Sequence, residues 1–358
     1  MRRNAALVVA TVLACGAGTV AVAAPANAAG WKNISSGALS YDGSLDRVDF
    51  GAKNAGWAVG AAGSFFSPQA KIVRWTGSAW AADASPVGFT PTDVAVSSAS
   101  KAWIIGYNLG GTLGLYWNGT KWSQVAYPLV GFPTAVSAAP DGTAYSVAGV
   151  DAAAGGPSAI LRWTGSAWVD PQVPLPPSSS ITAVDVRSAN DVWLAGTTSA
   201  TGTSVTGLVM HFNGTSWKKI DVPGSLGVPG YQGTLHRIVA DSPTNVYVLR
   251  VRQNAQITNA IQRYDGTSWK TINTPLNAAG IGLSSDGQGG VVMLPITTGT
   301  KSQYMHYNGS SWTTLNGPVR TGTVQASDAD ARPGTTAIVS TGTASEPSKR
   351  VPFIEYFS

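Results

Sequence analysis

Side chains able to do chemistry are few, and their positions limit what chemistry they can do. The chain of 358 residues carries two glutamates (Glu346 and Glu355), three histidines (His211, His236 and His306) and one cysteine, Cys15. Glycoside hydrolysis uses two carboxyl groups flanking the scissile bond. Both glutamates fall in the last segment of the chain, so paired glutamates are disfavoured and only paired aspartates stay open. His211 and His306 occupy a slot that sister segments fill with Arg74, Tyr116, Arg162 and Arg263. Interchangeable residues of this kind read as strand positions rather than as a general base or metal ligands. His236 and Arg237 stand together in a segment whose counterparts hold Asp46, Arg47, Asp49, Asp93 and Asp185. Gathered around one axis, Arg47, Asp49, Asp185, His236 and Arg237 would ring a channel mouth and bind a polar ligand. The favoured reading is that they neutralise one another across neighbouring elements, because buried charges need partners. No catalytic set, metal set or cofactor fingerprint emerges, so none is expected.

The elements that position these residues repeat. One phrase recurs six times: Arg74 to Trp80, Tyr116 to Trp122, Arg162 to Trp168, His211 to Trp217, Arg263 to Trp269 and His306 to Trp312. Its form is an aromatic, a turn pair ending in Gly, two residues, then Trp. The closing tryptophans lie 42, 46, 49, 52 and 43 residues apart, a period that means a stacked or closed repeat architecture. Asn118-Gly119, Asn213-Gly214, Asp265-Gly266 and Asn308-Gly309 suit hairpin turns with positive φ at both centres. Thr76-Gly77 and Thr164-Gly165 fill the same slot, and their turn is expected to differ. Upstream, an apolar residue precedes a second anchor by nine positions in Val48/Trp57, Val94/Trp103, Val136/Tyr145, Val184/Trp193, Ile238/Tyr247 and Leu283/Val292. Each unit therefore holds four strands, a to d, and seven such units make a β-propeller.

The two ends of the repeat region fit together. Ile354 to Ser358 matches Ile72 to Thr76, the end of a c strand, while Trp31-Lys32-Asn33-Ile34 matches the d-strand pattern Trp217-Lys218-Lys219-Ile220. The N-terminal strand is expected to complete the last blade and close the ring. All 13 tryptophans then have places in blade packing, and none is nominated as a ligand residue.

Residues 1–28 read as an export signal, with Arg2 and Arg3, an apolar run from Ala5 to Ala24, and Ala26-Asn27-Ala28 as a small-x-small cleavage site. Cleavage after Ala28 leaves residues 29–358 as the propeller, secreted, with no cysteine and no membrane span. Only 11% of residues are charged, with 23 Lys+Arg against 18 Asp+Glu spread along the chain, which argues against nucleic acid as a partner.

Short a–b and c–d turns contrast with b–c and d–a connections of varied length, which emerge on one face of a propeller. That face is the expected binding surface. It carries aromatics outside the repeat frame, among them Tyr41, Phe65, Phe66, Phe89, Tyr107, Phe132 and, in the longest such loop, Gly224 to Leu235, Tyr231. Neutral hydrogen-bonding residues surround them, a combination that suits sugar rings. Arg250 stands where the Trp-x-x-Gly phrase has its glycine, with Arg252 on the same strand face, and such local rule-breaking is often functional. The candidate ligand residues are thus Phe66, Tyr107, Phe132, Tyr231, Arg250 and Arg252.

In its Trp-x-x-Gly and aromatic-x-Gly-x-x-Trp phrases the chain resembles the secreted kelch-like, or galactose-oxidase-central-domain-like, seven-bladed propellers of actinobacteria, some of them lectin-like. Copper chemistry is not carried over, because residues 29–358 hold no cysteine. The expected function is non-catalytic recognition of a glycan or cell-envelope polysaccharide. The alternatives are a protein-interaction or target-recognition subunit of an extracellular assembly, such as a secreted antibacterial toxin particle, and a polysaccharide-active enzyme.

Overall fold

The protein is described by a computed structural model covering residues 30–128, 132–149, 158–200, 204–228, 231–253, 257–275 and 280–358. The expected export signal, residues 1–28, lies outside these.

Each repeated phrase folds as an antiparallel hairpin in which its two aromatics face each other. Trp75 pairs with Trp80, Trp117 with Trp122, Trp163 with Trp168, Phe212 with Trp217, Tyr264 with Trp269 and Tyr307 with Trp312. In all six turns the glycine takes a positive φ, between 90° and 103°, and the residue before it does not. That corrects the expectation of two positive centres. The preceding side chain does the work instead: Asn118 Oδ1 accepts from the amides of Thr120 and Lys121, and Asp265 Oδ1 from those of Thr267 and Ser268. The hydroxyls of Thr76 and Thr164 accept likewise from Ala79 and Ala167, so the threonine turns keep the same shape.

The described residues form seven antiparallel sheets, the seven blades of a β-propeller, in which each strand hydrogen-bonds to the next in order. The inner strands of blades 1 to 7 are Arg47–Ala52, Thr90–Ser98, Phe132–Ala138, Ser179–Ser188, Thr234–Ser242, Gly280–Ser285 and Thr323–Ala331. Blade 4 carries an extra pairing: its outer strand, Trp217–Val228, turns back onto a two-residue strand, Tyr231–Gln232. What reads as a long loop from Gly224 is thus largely a hairpin extension. Among the described residues no helix is long and apolar enough to cross a membrane.

The ring closes as the sequence predicts. Trp31–Ile34 adds to the edge of Arg350–Phe357 with Trp31 opposite Phe357 and Ile34 opposite Ile354. Side chains latch this seam to blade 6. Trp31 stacks on Tyr304 with centroids 3.6 Å apart and planes at 15°. Buried Glu355 accepts from Ser302 Oγ and Tyr304 OH at 2.8 Å, and pairs with Arg320. Arg320 also donates to Asn33 Oδ1 at 2.7 Å and lies 3.8 Å from the Phe353 centroid. One guanidinium and two hydroxyls thereby compensate a carboxylate withdrawn from water.

Between blades, aromatic plugs recur. Trp57 of blade 1 sits 5.7 Å from Trp117 and 5.9 Å from Trp122 of blade 2. Trp103 meets Trp163 at 6.1 Å, Tyr145 meets Trp217 at 6.3 Å, Trp193 meets Tyr264 at 6.3 Å, and Tyr247 meets Tyr307 at 6.4 Å. The second strand of each of blades 1 to 5 thus lends a ring to the aromatic pair of the next.

If the latch holds the ring, Trp31→Ala should lower unfolding stability by about 3–5 kcal/mol, the usual cost of truncating a buried tryptophan. Deleting Trp31 to Ser35 should cost more, because it also bares a sheet edge. Chemical denaturation checks both, and unchanged midpoints would refute the latch.

Candidate functional site

The axis is lined by inner strands, and each of these has only one neighbouring strand in its own blade. In six of the seven a β-bulge skips one residue against the second strand: Thr92, Thr134, Thr182, His236, Ile281 and Ser327. Asp46 holds the corresponding place in blade 1. These seven side chains stand at the mouth of the channel, six of them turned there by the bulge, and all of them line one funnel of about 590 Å³.

Below the funnel, side chains of one blade accept backbone amides of the next. Asp328 accepts from Val48 N–H at 3.1 Å and Asp330 from Phe50 N–H at 2.8 Å, which joins blade 7 to blade 1. Asp49 accepts from Val96, Asp93 from Val136, Ser137 from Val186 and Asp185 from Ala240, which joins blades 1 to 5 in series. The expected charge pairing across blades is present beside these bonds: the Arg47 and Arg237 charges counter the burial of Asp93 and Asp328. Arg47 of blade 1 lies 3.7 Å from Asp93 of blade 2, so this carboxylate serves both a guanidinium and a backbone N–H group. Burial raises Asp49 to about 7 and Asp93 and Asp185 to about 6, and it raises Asp328 and Asp330 as well.

The funnel brings together Arg47, Tyr107, His236 and Arg237. The two guanidiniums share one conformation: Arg47 Nη1 donates to Asp46 O at 2.8 Å and Arg237 Nη1 to His236 O at 3.0 Å. Each keeps further N–H donors. Burial first, then Arg237 and Arg47, push His236 down to about 4, so it presents a neutral imidazole at pH 7. Thr92, Thr134 and Thr182 donate their hydroxyls to the carbonyls of Ile105, Val147 and Leu235, leaving oxygen lone pairs as acceptors. Phe132, 62% exposed, meets Tyr107 edge-on at 5.4 Å and extends the aromatic rim.

Other expected site residues lie elsewhere. Asp49 and Arg237 line a polar axial cavity of about 160 Å³ with Asp93, Asp328 and Asp330, and Asp185 is not among its lining residues. Phe66 is 77% exposed at a hairpin tip of blade 1, edge-on to Phe65 at 5.5 Å and away from the funnel. Arg250 braces blade 4 by donating to Ser225 O. The side chains of Tyr231 and Arg252 lie outside the described residues. Phe89 is buried, so it plugs a loop base rather than facing a ligand. His211 stacks on Trp193 at 3.8 Å and bonds Asp191, and His306 bonds Asp286, so both are strand residues with structural partners.

Asp328 and Asp330 are missing from the sequence reading. In blade 7 the inner position, Ala329, and its second anchor, Val339, are ten residues apart instead of nine, and both are small. The spacing rule therefore passes over them.

No protein-family model matches the chain, and no curated protein matches it in sequence. Its similarities are to solved structures. A streptogramin B lyase has a TM-score of 0.61 at 10% identity, covering 92% of this chain and 97% of that one. YCF48 bound to D1 peptide has 0.58 at 15%, covering 92% and 97%. A GH74 xyloglucanase from Xanthomonas campestris has 0.58 at 12%, covering 90% of this chain but 55% of the enzyme. At such identities the likeness is one of fold. The propeller is what is shared.

The raised carboxyl groups set a pH dependence. Between about pH 4, where unfolded aspartates titrate, and about 7 for folded Asp49, the folded state binds more protons, so stability falls as pH rises. His236, lowered from 6.5 to about 4, acts in the opposite sense across that interval, but one histidine faces five aspartates on the axis. The melting temperature should be higher at pH 5 than at pH 8. Asp49→Asn, which keeps an acceptor for Val96, should flatten the difference. A melting temperature that rises from pH 5 to pH 8 would contradict the assignment.

Proposed function

We propose that this protein is a secreted, non-catalytic binding module that recognises a glycan or cell-envelope polysaccharide at the axial funnel. The observation that carries the reading is the convergence of Arg47, Arg237, neutral His236, three threonine oxygens and Tyr107 on one concave surface of a rigid ring. Guanidinium donors, hydroxyl acceptors and an aromatic rim match the hydroxyls and apolar face of a sugar. Asp49, Asp93, Asp185, Asp328 and Asp330 hold backbone amides, which supports a structural rather than an acid–base role for them. Secretion rests on the charged, apolar and small-x-small pattern of residues 1–28. The lectin-like members of the kelch-like propellers that the sequence resembles agree with this role.

A second reading, a protein-interaction subunit of an extracellular assembly, draws on Phe65 and Phe66. These rings project together at 66% and 77% exposure from a single hairpin tip. Contiguous exposed aromatics favour protein contact.

Incubation with a glycan and cell-wall polysaccharide array, scoring retained protein and released sugar together, separates these readings. Retention without release is expected. Arg237→Ala should weaken it about tenfold or more, since a hydrogen bond from a charged group contributes about 1.5–3 kcal/mol. Release of sugar would replace binding by catalysis. Capture of a stoichiometric protein with no glycan retained would favour the second reading.

A further inference from the structure

At five seams a tryptophan or tyrosine of one blade's second strand plugs the aromatic pair of the next blade, and at the sixth Tyr304 stacks on Trp31. The seam from blade 7 to blade 1 departs from this rule. Its aromatic pair is Trp75 and Trp80, 5.7 Å apart, but the plug position is Val339. Phe50 stands where other blades carry Val, Ala or Ser and takes part of the space, 5.8 Å from Trp80. A cavity of about 320 Å³ remains, walled by Phe50, Trp75, Trp80, Arg332, Val339 and Tyr356. It lies among the a–b and c–d turns, on the face opposite the funnel.

A second difference concerns Trp75 itself. In blade 2, Trp117 Nε1 donates to Ala99 O at 3.0 Å. In blade 1 the matching carbonyl, Lys53 O, accepts from Arg332 Nε at 2.6 Å, and that guanidinium lies 4.9 Å from the Trp75 ring. The Trp75 indole N–H makes no such bond and, like those of Trp31, Trp80, Trp103, Trp122, Trp168 and Trp269, is buried with no acceptor among the described residues.

We infer that this cavity binds a small aromatic molecule, an indole- or phenol-sized ring carrying an oxygen acceptor or carboxylate. Its walls are of the kind that hold Trp57, Trp103 and Tyr145's relatives at the other seams, so a planar ring finds the same ring–ring contacts. Apolar cavities of only about 150 Å³ already accept benzene. Arg332 supplies the donor for one oxygen-bearing substituent, whereas a sugar's many hydroxyls would meet mostly apolar walls. The site is separate from the funnel.

The test follows the assigned tryptophan indole N–H resonances while the protein is titrated with indole, indole-3-acetate and methyl glucoside. The expected result is a shift of Trp75 and Trp80, not of Trp117 or Trp122, with indole-3-acetate binding more tightly than indole. Val339→Trp restores the plug and should weaken both aromatic probes about tenfold or more, that is, by at least about 1.4 kcal/mol. If that variant does not fold, the wild-type shift map decides. Arg237→Ala should leave the aromatic titration unchanged, so failure of the funnel reading is distinguishable. Absent shifts, shifts scattered over the other tryptophans, or a response to methyl glucoside alone would overturn the inference.

Discussion

The innermost strand of every blade has one edge with no strand beside it. Its amides face the axis, where they must find acceptors or remain unsatisfied in a confined space. Here a side chain of the preceding blade supplies the acceptor at Val48, Phe50, Val96, Val136, Val186 and Ala240. Each bond joins two blades at their narrowest approach, so satisfying the strand edge and fixing the blade order are one event. Blade 7 grips blade 1 twice, through Asp328 and Asp330, at the seam that closes the ring.

The same requirement shapes what the axis can do. Carboxylates placed for backbone amides are buried first and crowded second, both of which raise their pKa, and Arg47 and Arg237 offset part of that cost for Asp328. Side chains fill the axis, and the open concave surface lies at its outer rim, where the bulged residues stand. The blade interfaces are governed by a different rule, ring against ring, and the two regimes meet only through the shared strands. A change at the rim therefore need not disturb the aromatic seams.

The fold was legible because its signal is redundant: six copies of one phrase and two matching ends survive local irregularities. That Arg47, His236, Arg237 and Tyr107 stand near one end of the axis was legible because a repeat frame assigns them to inner strands or to one face. What Asp49 and Asp185 do there was not, since a side chain bonded to a neighbouring blade's amide follows no sequence pattern. Arg250 breaks the Trp-x-x-Gly rule for a structural reason, holding the Ser225 carbonyl of the extended blade 4 strand. The cavity beside Trp75 was hardest to foresee. It arises because Val339 stands at the plug position and no other strand of blade 7 lends a ring, as Tyr304 does beside Val292 in blade 6, a difference seen only once the seams are compared in space.

Closure by Trp31–Ile34 also has a kinetic side. Residues 31 and 357 are neighbours in space and nearly as far apart in sequence as the propeller allows. Blades 1 to 6 can each form from local hairpins, but blade 7 is incomplete until Arg350–Phe357 captures a strand from the other end of the domain. Contacts of such separation form late, and the entropy of closing so long a segment must be met before any of them contributes. During that interval the last blade presents an unpaired edge and Tyr304 lacks its stacking partner. A strand from a second copy would fit both, so this seam is where domain swapping would compete with correct closure.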